Sequence, residues 1–359
     1  MTTTTPRAYA EYSQPLWRRL TVTREAAVIA LLLAVVLYAM GNVDNFDGPL
    51  TLTYLLLDVT PILLIALPMT MVIVTGEIDL SVASIVGLST VLVGVLHEGG
   101  MSVPVAGAIA LTAGVACGAL NGFLVAYVGL PSLAVTIGTL ALYRGLAVGL
   151  LGTKAVTDFP DRWTDLATAK IGDSGIPLVM VLVAALAVVF AGLLHFTSFG
   201  RGVYDTGLNS EAAHFTGVNV ARTKLILFVL SGAVSALAGI YYVLRFGSAR
   251  GDNATGLELQ VIAAVLLGGV SIFGGRGRLH GVIAGVLLIG VVSSALRLQG
   301  ITVNVINIII GLLLVASVMS PSVLAWVSGK ATTARRNTTR ARGPHDASND
   351  AALTEGKNP

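Results

Sequence analysis

Chemistry in this chain has to come from few side chains, because only 11% of its 359 residues are charged. Asp79 stands in Gly76-Glu77-Ile78-Asp79-Leu80-Ser81-Val82, and Glu258 in Leu257-Glu258-Leu259-Gln260-Val261. Each is a carboxylate between apolar neighbours just ahead of a small-residue helix, an echo of the duplicated halves common in transporters. A carboxylate near a membrane interior is costly and faces a partner or a water-filled cavity. Gly76 breaks the helix before Asp79 and Ser81 follows it, so the spacing favours Asp79 as a cap on the next helix N-terminus, where its charge meets free N–H groups. Glu258 is read in the same way. Asp58, Arg144 and Arg245 line a pathway, pair with one another or sit among headgroups. Intramembrane carboxylates such as Asp58 and Asp79 are also what an ion-coupled secondary transporter would need.

Other chemistries lack their residues. Gly274-Gly275-Arg276-Gly277-Arg278 is glycine-rich but lacks the Gly-x-x-x-x-Gly-Lys-Ser/Thr pattern that cradles phosphates, so it reads as a tight turn between two apolar helices. No such pattern occurs elsewhere, so any ATP that drives this protein is hydrolysed by another polypeptide. The five histidines, His97, His195, His214, His280 and His345, have no metal-ligand spacing. Cys117 is the single cysteine and reads as a small packed residue. Neither catalytic residues nor a metal site is expected, and the chain is expected to bind no cofactor. The net charge of +3 reads as a topology signal and not as a nucleic-acid surface.

The elements that position these residues follow from hydropathy. The chain is 55% hydrophobic with a mean hydropathy of +0.84, which excludes a soluble domain, where about a quarter of residues are charged. A spanning helix needs about 20 mainly apolar residues. Such runs cover 26–40, 50–75, 82–96, 103–128, 133–151, 177–196, 225–246, 259–273, 282–296 and 303–320. The runs are continuous and do not alternate as barrel strands would. The expected fold is an all-α polytopic membrane bundle of about ten helices. The 41 glycines suit close helix packing.

Lysine and arginine concentrate on the cytoplasmic side of such proteins. Arg7, Arg18, Arg19 and Arg24 precede the first run, Arg201, Arg222 and Lys224 lie in the longest loop, and Arg276 and Arg278 lie in the glycine turn. Six more basic residues lie in the tail from Lys330 to Lys357, whereas the connections 42–49 and 98–102 have none. Both termini are therefore expected in the cytoplasm, with Lys154, Arg162 and Lys170 of the 152–176 loop as a mild exception. The first helix has no small-residue cleavage site after it and reads as retained. The expected divisions are a cytoplasmic segment 1–24, a membrane domain 25–321 and a disordered tail 322–359, polar and poor in aromatics.

The loop 195–224 contains Asn209-Ser210-Glu211-Ala212-Ala213, then Gly217 and Asn219. Helix formers in its middle and Gly217 as a stop predict a short amphipathic helix at the membrane face. Glu211-Ala212-Ala213 followed four residues later by Gly217 resembles the EAA loop of ATP-binding-cassette (ABC) importer permeases. The segments 76–82, 129–139 and 262–277 resemble, in the same order, the ribose-type permeases of the branched-chain amino acid/ribose superfamily. This likeness covers about residues 50 to 320. It departs at Glu77, where the family often has glycine.

The resemblance implies a multi-pass subunit in a bacterial cytoplasmic membrane that is not itself an enzyme. It implies a partner ATPase that uses the ATP and docks on the loop at Asn209, Glu211, Ala212, Ala213, Gly217 and Asn219. It also implies a second permease copy or paralogue and an extracytoplasmic sugar-binding protein. The implied cargo is ribose, rhamnose, a related monosaccharide or a furanosyl signalling molecule.

Overall fold

The computed structural model describes residues 23–316 and residue 319. The segments 1–22 and 322–359, and with them most of the two expected terminal regions, lie outside the described residues. Helix α1 (Arg24–Asn42) starts where the Thr23 hydroxyl accepts the Ala26 N–H at 3.2 Å, a side-chain cap on an otherwise free donor. Helix α2 (Pro49–Val74) has proline in its first turn and leucine, isoleucine, valine and methionine around its whole circumference. A helix apolar on every side has to be buried, and from Val59 to Val74 nearly every side chain of α2 is. It packs against α7 (Val179–Phe196), α10 (Val220–Phe246), α11 (Leu257–Leu267) and α12 (Leu279–Leu298) and forms the centre of the bundle.

Gly76, at φ +83° and exposed, stops α2 and begins a non-helical stretch before α3 (Val82–Glu98), in which Asp79 and Ser81 are buried. Helix α3 itself is buried along most of its length. Helices α4 (Val103–Ala126), α5 (Ser132–Leu151) and α7 bury one face each and expose apolar side chains such as Leu120, Phe123, Ile137, Leu146 and Val188 on the other. That is the surface a bundle presents to hydrocarbon. Among the described residues seven helices are long and apolar enough to cross a membrane, namely α1, α2, α4, α5, α7, α10 and α12. Three shorter apolar helices accompany them: α3, α11 and α13 (Val303–Ala316). The chain is thus a polytopic helical bundle.

Small residues set the closest crossing. On α4, Gly114, Gly118 and Gly122 lie against Phe228, Gly232 and Ala236 of α10. A Cβ on Gly118 would overlap the Phe228 carbonyl oxygen. Two backbones in contact gain dispersion and lose no side-chain entropy, which matters where lipid removes the hydrophobic drive between helices.

Several expectations need correction. The run expected as one helix over 259–273 ends at Leu267, because Gly268 and Gly269 follow and Gly269 takes φ +95°. The fold is not wholly helical: β1 (Ala155–Val156) pairs antiparallel with β2 (Ala249–Arg250), Ala155 opposite Arg250. The 152–176 loop also holds a short helix, α6 (Asp161–Thr168). Helix α10 begins at Val220, five residues before the expected 225, because Asn219 caps it by accepting the Arg222 N–H at 2.9 Å.

Candidate functional site

The loop 195–224 folds into two helices where one was expected, α8 (Ser198–Leu208) and α9 (Ser210–Phe215). Thr197 Oγ1 accepts the Gly200 N–H and caps α8; Asn209 Oδ1 accepts the Ala212 N–H at 2.9 Å and caps α9. Helix α9 stops at Gly217, whose φ of +90° only glycine adopts without strain. Val218 N–H then returns to the Ala213 carbonyl at 3.0 Å, and Asn219 starts α10. Asn209, Gly217 and Asn219 therefore shape the loop. Ala213 is buried beneath it, while Glu211 and Ala212 face outward. Phe215 is 82% exposed and Leu208 66%. A groove of about 490 Å³ runs beside them, bounded by His214, Val218, Lys224 and Val125.

This loop is fastened to two other segments at the same end of the bundle. Gly207 of α8 lies so close to the Val74 carbonyl and the Gly275 N–H that a Cβ would overlap both. Gly275 N–H donates to that Val74 oxygen at 2.8 Å, which joins the α2 end to the glycine turn before α12. Tyr204 Oη donates to the Gly277 carbonyl at 2.7 Å, and burial pushes its phenol above the ordinary value, so the donor stays protonated. Lys224 Nζ pairs with Glu77 Oε1 at 2.5 Å, both side chains mostly covered. Glu77, the residue that departs from the family pattern, thus anchors the start of α10.

Two residues beyond Glu77, Asp79 is wholly buried. Its Oδ1 accepts the Ser81 N–H at 3.0 Å and the Ser81 hydroxyl at 2.6 Å; its Oδ2 accepts the Ser231 hydroxyl of α10 at 2.8 Å. Asn121 of α4 donates to Ser81 Oγ at 2.8 Å, and Tyr143 Oη of α5 lies 3.3 Å from Asn121 Oδ1. The cap position of α3 is Ser81 itself, so Asp79 holds that residue and ties it to α10. Leaving a buried hydrogen-bonding group without its partner costs about 1–3 kcal/mol. Asp79→Asn replaces one acceptor by a donor that faces a serine hydroxyl. The expected result is a destabilisation of about 2 kcal/mol, read as a lower melting temperature, with uptake per folded molecule retained. Normal stability with selective loss of transport would place Asp79 on the pathway instead.

The other candidates separate. Arg144 donates to the carbonyls of Asn253 at 2.7 Å, Gly251 at 3.0 Å and Ala83 at 3.3 Å, and so pins the 247–256 loop to α3. Glu258 sits in the first turn of α11, whose N-terminus has no side-chain cap bond. Asp58 pairs with Arg297 at 2.8 Å and with Arg245 at 3.5 Å, a cluster at the opposite end of α10 and α12 from the loop. Among the described residues no three His, Cys, Asp or Glu side chains gather to hold a metal. Sequence reasoning missed Gly207, Tyr204, Asn121 and Ser231; only the glycine, inside an otherwise helical stretch, carried a signal.

Residues 51–318 match a family model described as the branched-chain amino acid transport system / permease component. The autoinducer 2 import system permease protein LsrD of Photorhabdus temperata is 35% identical over 306 residues, covering 83% of this chain and 90% of that protein. The protein of the same name from Yersinia enterocolitica is 35% identical over 306 residues, 83% and 92% of the two chains. That of Klebsiella pneumoniae is 35% identical over 311 residues, 85% and 93%. No solved structure matches. With its helical bundle and its capped Glu211-Ala212-Ala213 loop, the chain belongs to the branched-chain amino acid transport system / permease component family and is a membrane-spanning permease subunit of an ABC importer.

Proposed function

We propose that the chain is one half of the conduit of an importer for a small furanosyl sugar of the autoinducer 2 class, driven by an ATPase that docks on α8 and α9. The observation that carries the docking site is the exposed, doubly capped α9 joined through Gly207 to the α2 end and the glycine turn. Closure of an ATPase pair would push on α9, and the backbone contacts would pass the displacement to α2 and to the glycine turn before α12. The cargo reading draws on the names of the relatives.

In this reading all ten apolar helices cross the membrane, α3, α11 and α13 as short or broken spans, and both termini lie with the basic loop in the cytoplasm. The membrane domain is 25–321, between a cytoplasmic segment 1–24 and a tail 322–359. The second half is another copy or a paralogue, an extracytoplasmic binding protein delivers the sugar, and ATP is bound only by the partner subunit. Reconstitution with the ATPase and binding protein tests this: uptake of autoinducer 2 should stop on ATP depletion and persist when the proton gradient is collapsed. Uptake with the reverse dependence would overturn the proposal.

A further inference from the structure

Helices α10 and α12 both begin beside the α8–α9 loop and both carry an arginine in the last turn, Arg245 and Arg297, at the other face of the bundle. There the two guanidinium groups converge on Asp58 of α2. Arg245 is 14% exposed and packs between the rings of Tyr54, centroid at 5.8 Å, and Phe246, centroid at 5.3 Å. Its Nε is buried and has no hydrogen-bond partner among the described residues. The cluster borders a cavity of about 500 Å³ and a smaller adjoining one of about 100 Å³. Both cavities reach Asp58, Ser294 and Arg297, and the smaller one adds Gln260, Ser293 and Asn307.

Asp58, 32% exposed, stands within α2, while Arg245 and Arg297 stand in the last turns of their helices, Arg297 56% exposed; an ionisable side chain within a spanning helix is expensive, and one that lines a cavity is where a polar solute passes. A structural ion pair needs one arginine for Asp58. It does not need a second arginine, nor four neutral polar side chains, Ser294, Gln260, Ser293 and Asn307, lining the adjoining cavities. One carboxylate between two guanidinium groups leaves a single excess positive charge, which repels cations and gives a dianion little hold. It does present two acceptor oxygens and several fixed donors a few ångströms apart, the pattern that vicinal hydroxyls satisfy, with aromatic faces beside them for C–H surfaces.

We infer that this cavity is a reception site for a neutral polyhydroxylated solute of about furanose size, entered from the face opposite α8 and α9. The inference rests on the sugar-import reading proposed above and adds a site within the permease itself. Asp58 accepts from two adjacent hydroxyls, Arg245 and Arg297 donate to hydroxyl or ring oxygens, and Ser294 sits where the two cavities meet.

The test uses the permease–ATPase complex in nanodiscs without the binding protein, and radiolabelled D-ribose as probe. Saturable millimolar binding is expected, displaced by ribitol and not by succinate. Ser294→Phe, which fills the junction and leaves the ion pairs in place, should weaken binding at least tenfold, as should Asp58→Asn. On the unaltered complex, ribose should at least halve the labelling of Arg297 by an arginine-specific dicarbonyl, a readout that does not depend on any variant folding. Binding unchanged by Ser294→Phe, displacement by succinate in preference to ribitol, or labelling indifferent to ribose would overturn the site. Sugar uptake by the complete importer that is unaltered in Ser294→Phe removes the site and leaves the import reading standing; no sugar uptake by the unaltered importer removes both.

Discussion

Gly232→Val is expected to abolish the folded permease. A Cβ at Gly232 would overlap the Gly114 carbonyl oxygen and lie 2.8 Å from both the Cα and the nitrogen of Gly118. Those are backbone atoms of α4, and neither helix has a rotamer to change. Overpacking a core with flexible neighbours costs about 1–3 kcal/mol; here the two helices have to separate along Gly114, Gly118 and Gly122, and the main crossing of the bundle goes with them. In detergent the variant should give no monodisperse peak or melt many degrees below the parent. Gly145→Ala on α5, where nothing lies within 4 Å of an added Cβ, should melt close to the parent. A Gly232→Val protein that keeps the parental melting temperature would refute the backbone-contact account of this crossing.

The second large effect is expected at the proposed ATPase dock. Glu211→Lys combined with Gly217→Arg should release the ATPase during purification and lower uptake by about a hundredfold, on the order expected when a hot-spot contact worth 2 kcal/mol or more is lost. Both residues are exposed, so the permease should stay folded, its melting temperature lowered by no more than the strain of a side chain at φ +90°, about 1–3 kcal/mol. Gly217→Arg also forces a bulky residue to φ +90°, so α9 would end in a different direction. Co-purification of the ATPase at parental levels, with hydrolysis still coupled to uptake, would show that the dock lies elsewhere.

The spanning elements were legible where burial is uniform. The apolar runs that became α2, α4, α5, α7 and α12 stand out on hydropathy alone, because a helix in or against hydrocarbon needs no polar face. Legibility failed where glycine acts against its own propensity. Helix α8 contains Gly200, Gly202 and Gly207, each unfavourable by about 1 kcal/mol in a helix, yet each is held by packing: Gly200 against the α7 end, Gly202 against Val218, Gly207 against Val74 and Gly275. At Gly268 and Gly269 the same residue type ends a helix, and nothing in the local sequence separates the two outcomes.

The candidate site divided along similar lines. Gly217 as a stop and the polar face of Glu211 were readable because caps and stops are local chemistry. The partners of the buried charges were not. Ser231 lies 152 residues from Asp79 and Arg297 lies 239 from Asp58, distances at which a sequence names each residue but not the pair.

The contact of Gly207 with Val74 and Gly275 bears on how such proteins can be recombined. It is made by main-chain atoms of three separate segments, so its fit belongs to none of them alone. Transplanting residues 195–224 into a related scaffold would carry only one face of a three-sided joint. The recipient's own helix end and glycine turn would have to meet the graft at the same backbone spacing for the joint to close. A working chimera has to take the end of α2, the 195–224 insert and the 274–277 turn from the same donor.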